Sequence, residues 1–194
     1  MEYYNKNVKK DLDHIIKGKY FDDWFKIVKP FLLHDELQRR KLFKHHSGRL
    51  WDHITEVSYY SYLLAKVKHA DERVAAIAGL LHDFYPKAYK YTKELDDLDH
   101  NYVTDVIKIQ LPHKMHAFTH GRAAARNARR FFGDVIDEKI YSSIETHMFP
   151  LTVKPPKYQE GWIVQYIDKY LSIGLINRIR IKLEREEKNK IYKN

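Results

Sequence analysis

The chain has 194 residues and a formal charge of +9, from 35 Lys and Arg against 26 Asp and Glu. That length suits one domain with a small extension, and such a domain buries about 70% of the surface its unfolded chain exposes, enough to fold without staples. With no cysteine and 12 histidines, a disulfide framework, a thiolate zinc site, an iron–sulfur cluster and a cysteine nucleophile are excluded, and any metal would sit on nitrogen and oxygen ligands.

Helical periodicity dominates between the 7 Gly and 6 Pro. Residues 1–44, charged and aromatic, read as an N-terminal helical extension packed on the core, in which Pro30 marks a helix start or break. His45, His46, Ser47 and Gly48 read as a loop. A helix is predicted over 51–68, with His53, Val57, Tyr60, Leu64 and Val67 on one face. A second, over 71–81, is capped by Asp71, is rich in alanine, and ends around His82-Asp83 before Pro86. The stretch 84–118 is the longest irregular region, with a short helix near 100–110. Thr119 is the predicted N-cap of a helix that reaches Phe132 and is closed by Gly133.

Residues 135–147 follow as a helix whose stripe holds Val135, Ile136, Lys139, Ile140, Ser143, Ile144 and His147. Pro150, Pro155 and Pro156 make 149–156 a loop. A last helix is predicted over 158–180, through Trp162, Ile163, Val164, Ile167, Asp168 and Leu171, and a basic tail over 177–194 frays. No alternating strand pattern appears, so the fold class is all-α. No stretch approaches the roughly 18 apolar residues of a membrane span. The opening residues, MEYYNKNVKKDLDH, lack the apolar core of a secretory signal. A cytoplasmic protein is expected.

Several polar residues stand where apolar ones belong. His53 opens an apolar face one turn before Val57. His82 lies four residues after Ala78 and eight after Val74, and His147 lies three after Ile144 and seven after Ile140. One histidine so placed is ordinarily a hydrogen-bonded core residue; three on separate helices ask for a common cause. Asp168 lies four after Val164 in an apolar face, where an unpaired carboxylate costs several kcal/mol. Asp83 sits at a helix C-terminus, where the macrodipole disfavours a negative charge. A nearby cation removes both objections, and inward-facing His and Asp on several helices are how helical folds build metal centres.

The order of His53 in LWDHITEVSYYSYLLAK, His82-Asp83 in LLHDF and Asp168 in WIVQYIDKYLS resembles the HD-domain metal-dependent phosphohydrolase superfamily, over roughly residues 45–175. His120 in HAFTHGRAAARNA and His147 in IETHMFP are similar to the extra histidines of dinuclear members, such as HD-type symmetrical diadenosine tetraphosphate hydrolases and related bacterial HD hydrolases. The resemblance implies an HD helical bundle over 45–176 with its metal site in the core. It implies one metal on His53, His82, Asp83 and Asp168, and a second on Asp83, His120 and His147, with Asp83 bridging. The implied cofactors are two divalent transition metals, iron first, with manganese, cobalt, nickel or zinc as alternatives. The implied reaction is cleavage of a phosphoester or phosphoanhydride by a metal-bridged hydroxide.

Substrate contacts are sought among cations near those ligands. Lys87, in HDFYPK, stands one residue later than the phosphate-facing lysine of relatives with HDxGK. Arg122, two residues after His120, could face a phosphate at a helix N-terminus. His116, four before His120, could orient a ligand, and His46 and Arg49 could line the pocket mouth. Tyr85, Tyr89 and Tyr91 could stack on a base. His14, His34, His69, His100 and His113 read as surface residues. The expected partner is a small phosphorylated substrate, a nucleotide foremost, with no membrane; the oligomeric state stays open. Two other readings stay open: a di-iron oxygenase of the same fold, and a basic nucleic-acid-binding helical protein, which the scattered basic residues disfavour.

Overall fold

In the computed structural model of the chain, residues 7–45, 48–84 and 116–175 are described. They are mostly helical: α1 (Phe21–Leu32), α2 (Asp35–Gln38), α3 (Leu50–Lys68), α4 (Glu72–Leu81), α5 (His116–Phe132), α6 (Glu138–Glu145) and α7 (Gln159–Ser172), with short 3-10 turns between them. Of the expected loop at 45–48, His45 and Gly48 instead belong to a small antiparallel pair, β1 (Lys44–His45) and β2 (Gly48–Arg49), in which they oppose each other. His46, Lys87, Tyr85, Tyr89, Tyr91, His100, His113, the helix expected near 100–110 and the tail over 177–194 lie outside the described residues.

α4 is the centre of the bundle and packs against α1, α3, α5, α6 and α7. Small side chains make that possible. Ala75, Ala76 and Ala78 are fully buried, and a Cβ on Gly79 would stand 3.0 Å from the Ser58 Cα and 3.1 Å from the Val57 carbonyl oxygen, so α3 crosses with almost no gap. Ser58 Oγ donates to the Ala76 carbonyl at 2.7 Å and accepts from Trp24 Nε1 at 2.9 Å, which pins α1, α3 and α4 together. At the other end Asp71 caps α4 by accepting from Val74 N–H at 3.0 Å. The backbone N–H of Asp71 donates to Glu160 Oε1 at 2.8 Å, and Lys139 Nζ reaches that oxygen at 2.9 Å, joining the start of α4 to α6 and α7.

Several boundaries differ from the sequence reading. Pro30 lies inside the last turn of α1, where its missing N–H removes one bond close to the helix end. α5 begins at His116, so Thr119 lies within it and does not cap it. Gly133 closes α5 with φ +57° as expected, but 133–135 then form a 3-10 turn that leaves Val135 exposed. α6 therefore starts only at Glu138, where the Asp137 side chain accepts from Ile140 N–H at 2.8 Å. α7 stops at Ser172, short of residue 180, ahead of Gly174 at φ +71°.

The N-terminal segment shares the main core: Leu12, Ile15, Trp24, Val28, Leu32 and Leu37 bury with the apolar faces of α3–α7. Trp51 Nε1 donates to the Asp11 carbonyl at 3.1 Å. His14 is mostly buried and not a surface residue: its Nε2 lies 2.8 Å from Thr55 Oγ1 and its Nδ1 3.5 Å from Asp52, and burial lowers its pKa. His34 caps α2 by accepting from Glu36 N–H. His69 is exposed, at φ +55° after α3. No described helix is long and apolar enough to cross a membrane.

Candidate metal centre

Three helices and two turns converge at one end of α4. His53 comes from the first turns of α3, His82 and Asp83 from the turn after α4, His120 from α5, His147 from just beyond α6, and Asp168 from α7. Each sits on the inner stripe of its element because the neighbours on that stripe are apolar and buried: Ile54 and Val57, Ala78 and Leu81, Ala123 and Ala124, Ile140 and Ile144, Val164 and Ile167. His82 and His147 are fully buried, and His120 and Asp168 nearly so.

The ligand atoms are close. His53 Nε2 lies 3.2 Å from His82 Nε2 and 3.1 Å from Asp168 Oδ1, and His82 Nε2 lies 3.5 Å from Asp168 Oδ1. Asp83 faces both ways, with Oδ2 at 3.7 Å from His82 Nε2 and Oδ1 at 3.5 Å from His120 Nε2. His120 Nε2 and His147 Nε2 are 3.0 Å apart. Three overlapping triplets, His53/His82/Asp83, His82/His147/Asp168 and Asp83/His120/His147, each hold their donor atoms within 4.8 Å of one another.

The chemistry of these donors fits a bound cation. His82 Nδ1 donates to the Gly79 carbonyl at 2.7 Å and His147 Nδ1 to the Ile144 carbonyl at 2.8 Å. A carbonyl only accepts, so both rings carry their proton outward and turn an Nε2 lone pair into the cluster. Lone pairs of imidazole then face carboxylate lone pairs across 3.5–3.7 Å, an arrangement that needs a positive charge between them. Metal–ligand bonds of about 2.1 Å at tetrahedral or octahedral angles separate neighbouring ligand atoms by about 3.0–3.4 Å, close to the spacings here.

Without a metal, protons do part of that work. Burial opposes protonation of His82, but Asp83 and Asp168 outweigh it and raise its pKa to about 9. Burial works against the Asp168 carboxylate as well, yet the His53 and His82 rings hold its pKa well below the usual range. His147 is pushed the other way, down to about 3, by burial and by His120 and His82. It is a neutral imidazole with its lone pair available.

The other candidates lie elsewhere or outside view. Arg122 is exposed, and its Nε lies 3.8 Å from Glu145. Arg49 is exposed and donates to Asp52 at 2.9 Å. The side chain of His116, at the first residue of α5, falls outside the described residues, as do His46 and Lys87. Two contributors were missed by sequence reading. Gly121 lets α5 approach the end of α6: a Cβ there would stand 2.8 Å from the Glu145 carbonyl oxygen. Asn127, fully buried, donates from Nδ2 to the Phe84 carbonyl at 3.2 Å. Its spacing of seven from His120, along a face of alanines, is the signal that could have found it. No family model, curated protein or solved structure matches the chain.

Proposed function

We propose that the chain is a metal-dependent phosphohydrolase of the HD type that cleaves a phosphoester or phosphoanhydride of a nucleotide or similar small phosphorylated metabolite in the cytoplasm. The observation that carries this reading is Asp83, whose two oxygens face different histidines within one set of six donors, four of them buried and two partly buried. His53, His82, Asp83 and Asp168 would hold one metal, and Asp83, His120 and His147 the other. When bound, such a pair supplies Lewis acidity toward phosphoryl oxygens and an ionised water near neutral pH for in-line attack on phosphorus.

The chain's own residues set the conditions for that chemistry. Gly79 O and Ile144 O, each accepting an Nδ1–H, fix the rings of His82 and His147 so that no reorientation is needed. His82 gives up its proton as the site loads, so uptake releases acid. The mixed imidazole–carboxylate set suits iron, manganese, cobalt or nickel, with zinc as a further candidate. No nucleophilic side chain is required, in keeping with a chain that has no cysteine. The formal charge of +9 favours an anionic substrate.

Elemental analysis of chelator-free protein tests the site, and phosphate release from p-nitrophenyl phosphates and a nucleotide panel tests the reaction. Two equivalents of transition metal are expected, with His82→Ala or Asp168→Ala abolishing both metal and turnover. Less than about half an equivalent, unchanged in Asp83→Ala, would sink the dinuclear site. Oxygen consumption without phosphate release would turn the same donors toward an oxygenase.

A further inference from the structure

Asp83 does not stand on a helix. α4 ends at Leu81, and the His-Asp doublet follows in a turn closed by Phe84 N–H donating to the Leu81 carbonyl at 3.0 Å. A turn alone leaves the direction of a carboxylate loosely defined, yet each Asp83 oxygen faces a different histidine. The residue after it is gripped from several sides. The Phe84 ring is buried, with the Arg40 guanidinium 4.7 Å over its face and the Phe131 and Phe132 rings at 5.7 Å. Those contacts hold the ring, and the Phe84 N–H bond holds the peptide that joins it to Asp83. The Asn127 amide, donating to the Phe84 carbonyl at 3.2 Å, adds a directional bond on the other side of Phe84 and ties the turn to α5.

The placement of Asn127 argues for such a purpose. It is fully buried, on a helix face otherwise lined by Ala123, Ala124 and Ala128. An amide buried there costs about 1–3 kcal/mol unless it is hydrogen-bonded. It lies two turns beyond His120 on the same face of α5. α5 therefore meets the doublet twice, through His120 at Asp83 Oδ1 and through Asn127 at the next carbonyl.

We propose that Asn127 is a positioning residue for Asp83: its amide fixes the doublet turn against α5, so that Asp83 presents one oxygen to His120 and the other to His82 before any metal arrives. This rests on the dinuclear reading of the site. The test is titration of metal-free protein with Co(II), read by calorimetry and by the visible absorption of the bound ion, with circular dichroism to establish the fold. Wild type takes two equivalents. Asn127→Leu, similar in size without a donor, and Asn127→Ser, whose hydroxyl is too short to reach, keep the first equivalent within about threefold, while the second binds about 10–100-fold more weakly with an altered absorption band.

Equal weakening of both equivalents, or two equivalents with unaltered affinities and spectra, overturns the assignment. Failure of both variants to fold does so too, because Asn127 is then a residue of the core alone. Wild type that takes up no Co(II) removes the dinuclear reading itself, whereas unaltered variants beside a two-metal wild type remove only the role of Asn127.

Discussion

At Gly121 a single methyl group reports on the closeness of α5 and α6. A Cβ on residue 121 would stand 2.8 Å from the Glu145 carbonyl oxygen and 3.2 Å from both the Ile144 carbonyl oxygen and His147 Nδ1. The last two atoms are partners in the 2.8 Å hydrogen bond that orients His147. On an exposed helix, Gly→Ala gains about 1 kcal/mol of helix propensity. Here the overlap is with backbone atoms, and overpacking of this kind costs about 1–3 kcal/mol, toward the upper end when no side chain can swing away. Gly121→Ala is therefore expected to lose about 1–2 kcal/mol net, or about 2–8 °C in Tm for a chain of this size. Metal affinity should fall about tenfold as the His147 ring turns. Thermal unfolding of the metal-free protein measures the first effect and Co(II) titration the second. Gly48→Ala is the control, since a Cβ there meets nothing within 4 Å, and it should stay within about 0.5 kcal/mol of wild type. A Gly121→Ala protein as stable as wild type would refute the close approach and the His120–His147 geometry that depends on it.

Burial, helped by Asp52, raises the Glu56 pKa from 4.5 to about 7. The folded state thus holds this proton more tightly than the unfolded chain, and stability falls as pH rises from about 4.5 to 7. Glu56→Gln should add about 1–2 kcal/mol at pH 8, allowing for partial solvation, and nothing at pH 4; urea unfolding at both pH values checks this, and an equal gain at each would exclude titration as the cause. Glu160→Ala removes the shared acceptor of Asp71 N–H and Lys139 Nζ and should cost about 2–3 kcal/mol. Lys139→Ala, with its half-exposed ammonium, should cost less than about 1 kcal/mol by the same assay.

The residues that meet at the end of α4 are legible in the sequence because each interrupts an apolar stripe, and a stripe is a local pattern. His147 three after Ile144 and Asp168 four after Val164 need only the helical repeat to be noticed. What escapes is whatever depends on distant partners. His14 has no periodic neighbours, and its hydrogen-bond partner Thr55 lies 41 residues away. Arg40, in a run of charges that reads as solvated, is fully buried against Phe43 and Phe84. Glu160 reads as an ordinary first-turn acid, although it lies three and four residues before the buried Ile163 and Val164. Helix starts are missed where capping overrides periodicity, as at Asp137, whose cap sets the start of α6 against the apolar pull of Val135 and Ile136.

The sequence distances across the donor cluster have a consequence for assembly. His53 meets His82 over 29 residues, by way of the α3–α4 hairpin, and His120 meets His147 over 27, by way of α5–α6. His53 meets Asp168 only over 115. The first hairpin carries three of the six donors and the second two, and each can form from neighbours in the chain, whereas the contact to Asp168 on α7 closes most of the molecule into one loop and comes at a higher entropic cost. Asp83 belongs to the first hairpin and faces a histidine of the second. A nascent chain therefore carries two incomplete cups that complete one another only when the last helix docks, and the donor set exists only in molecules that have finished folding.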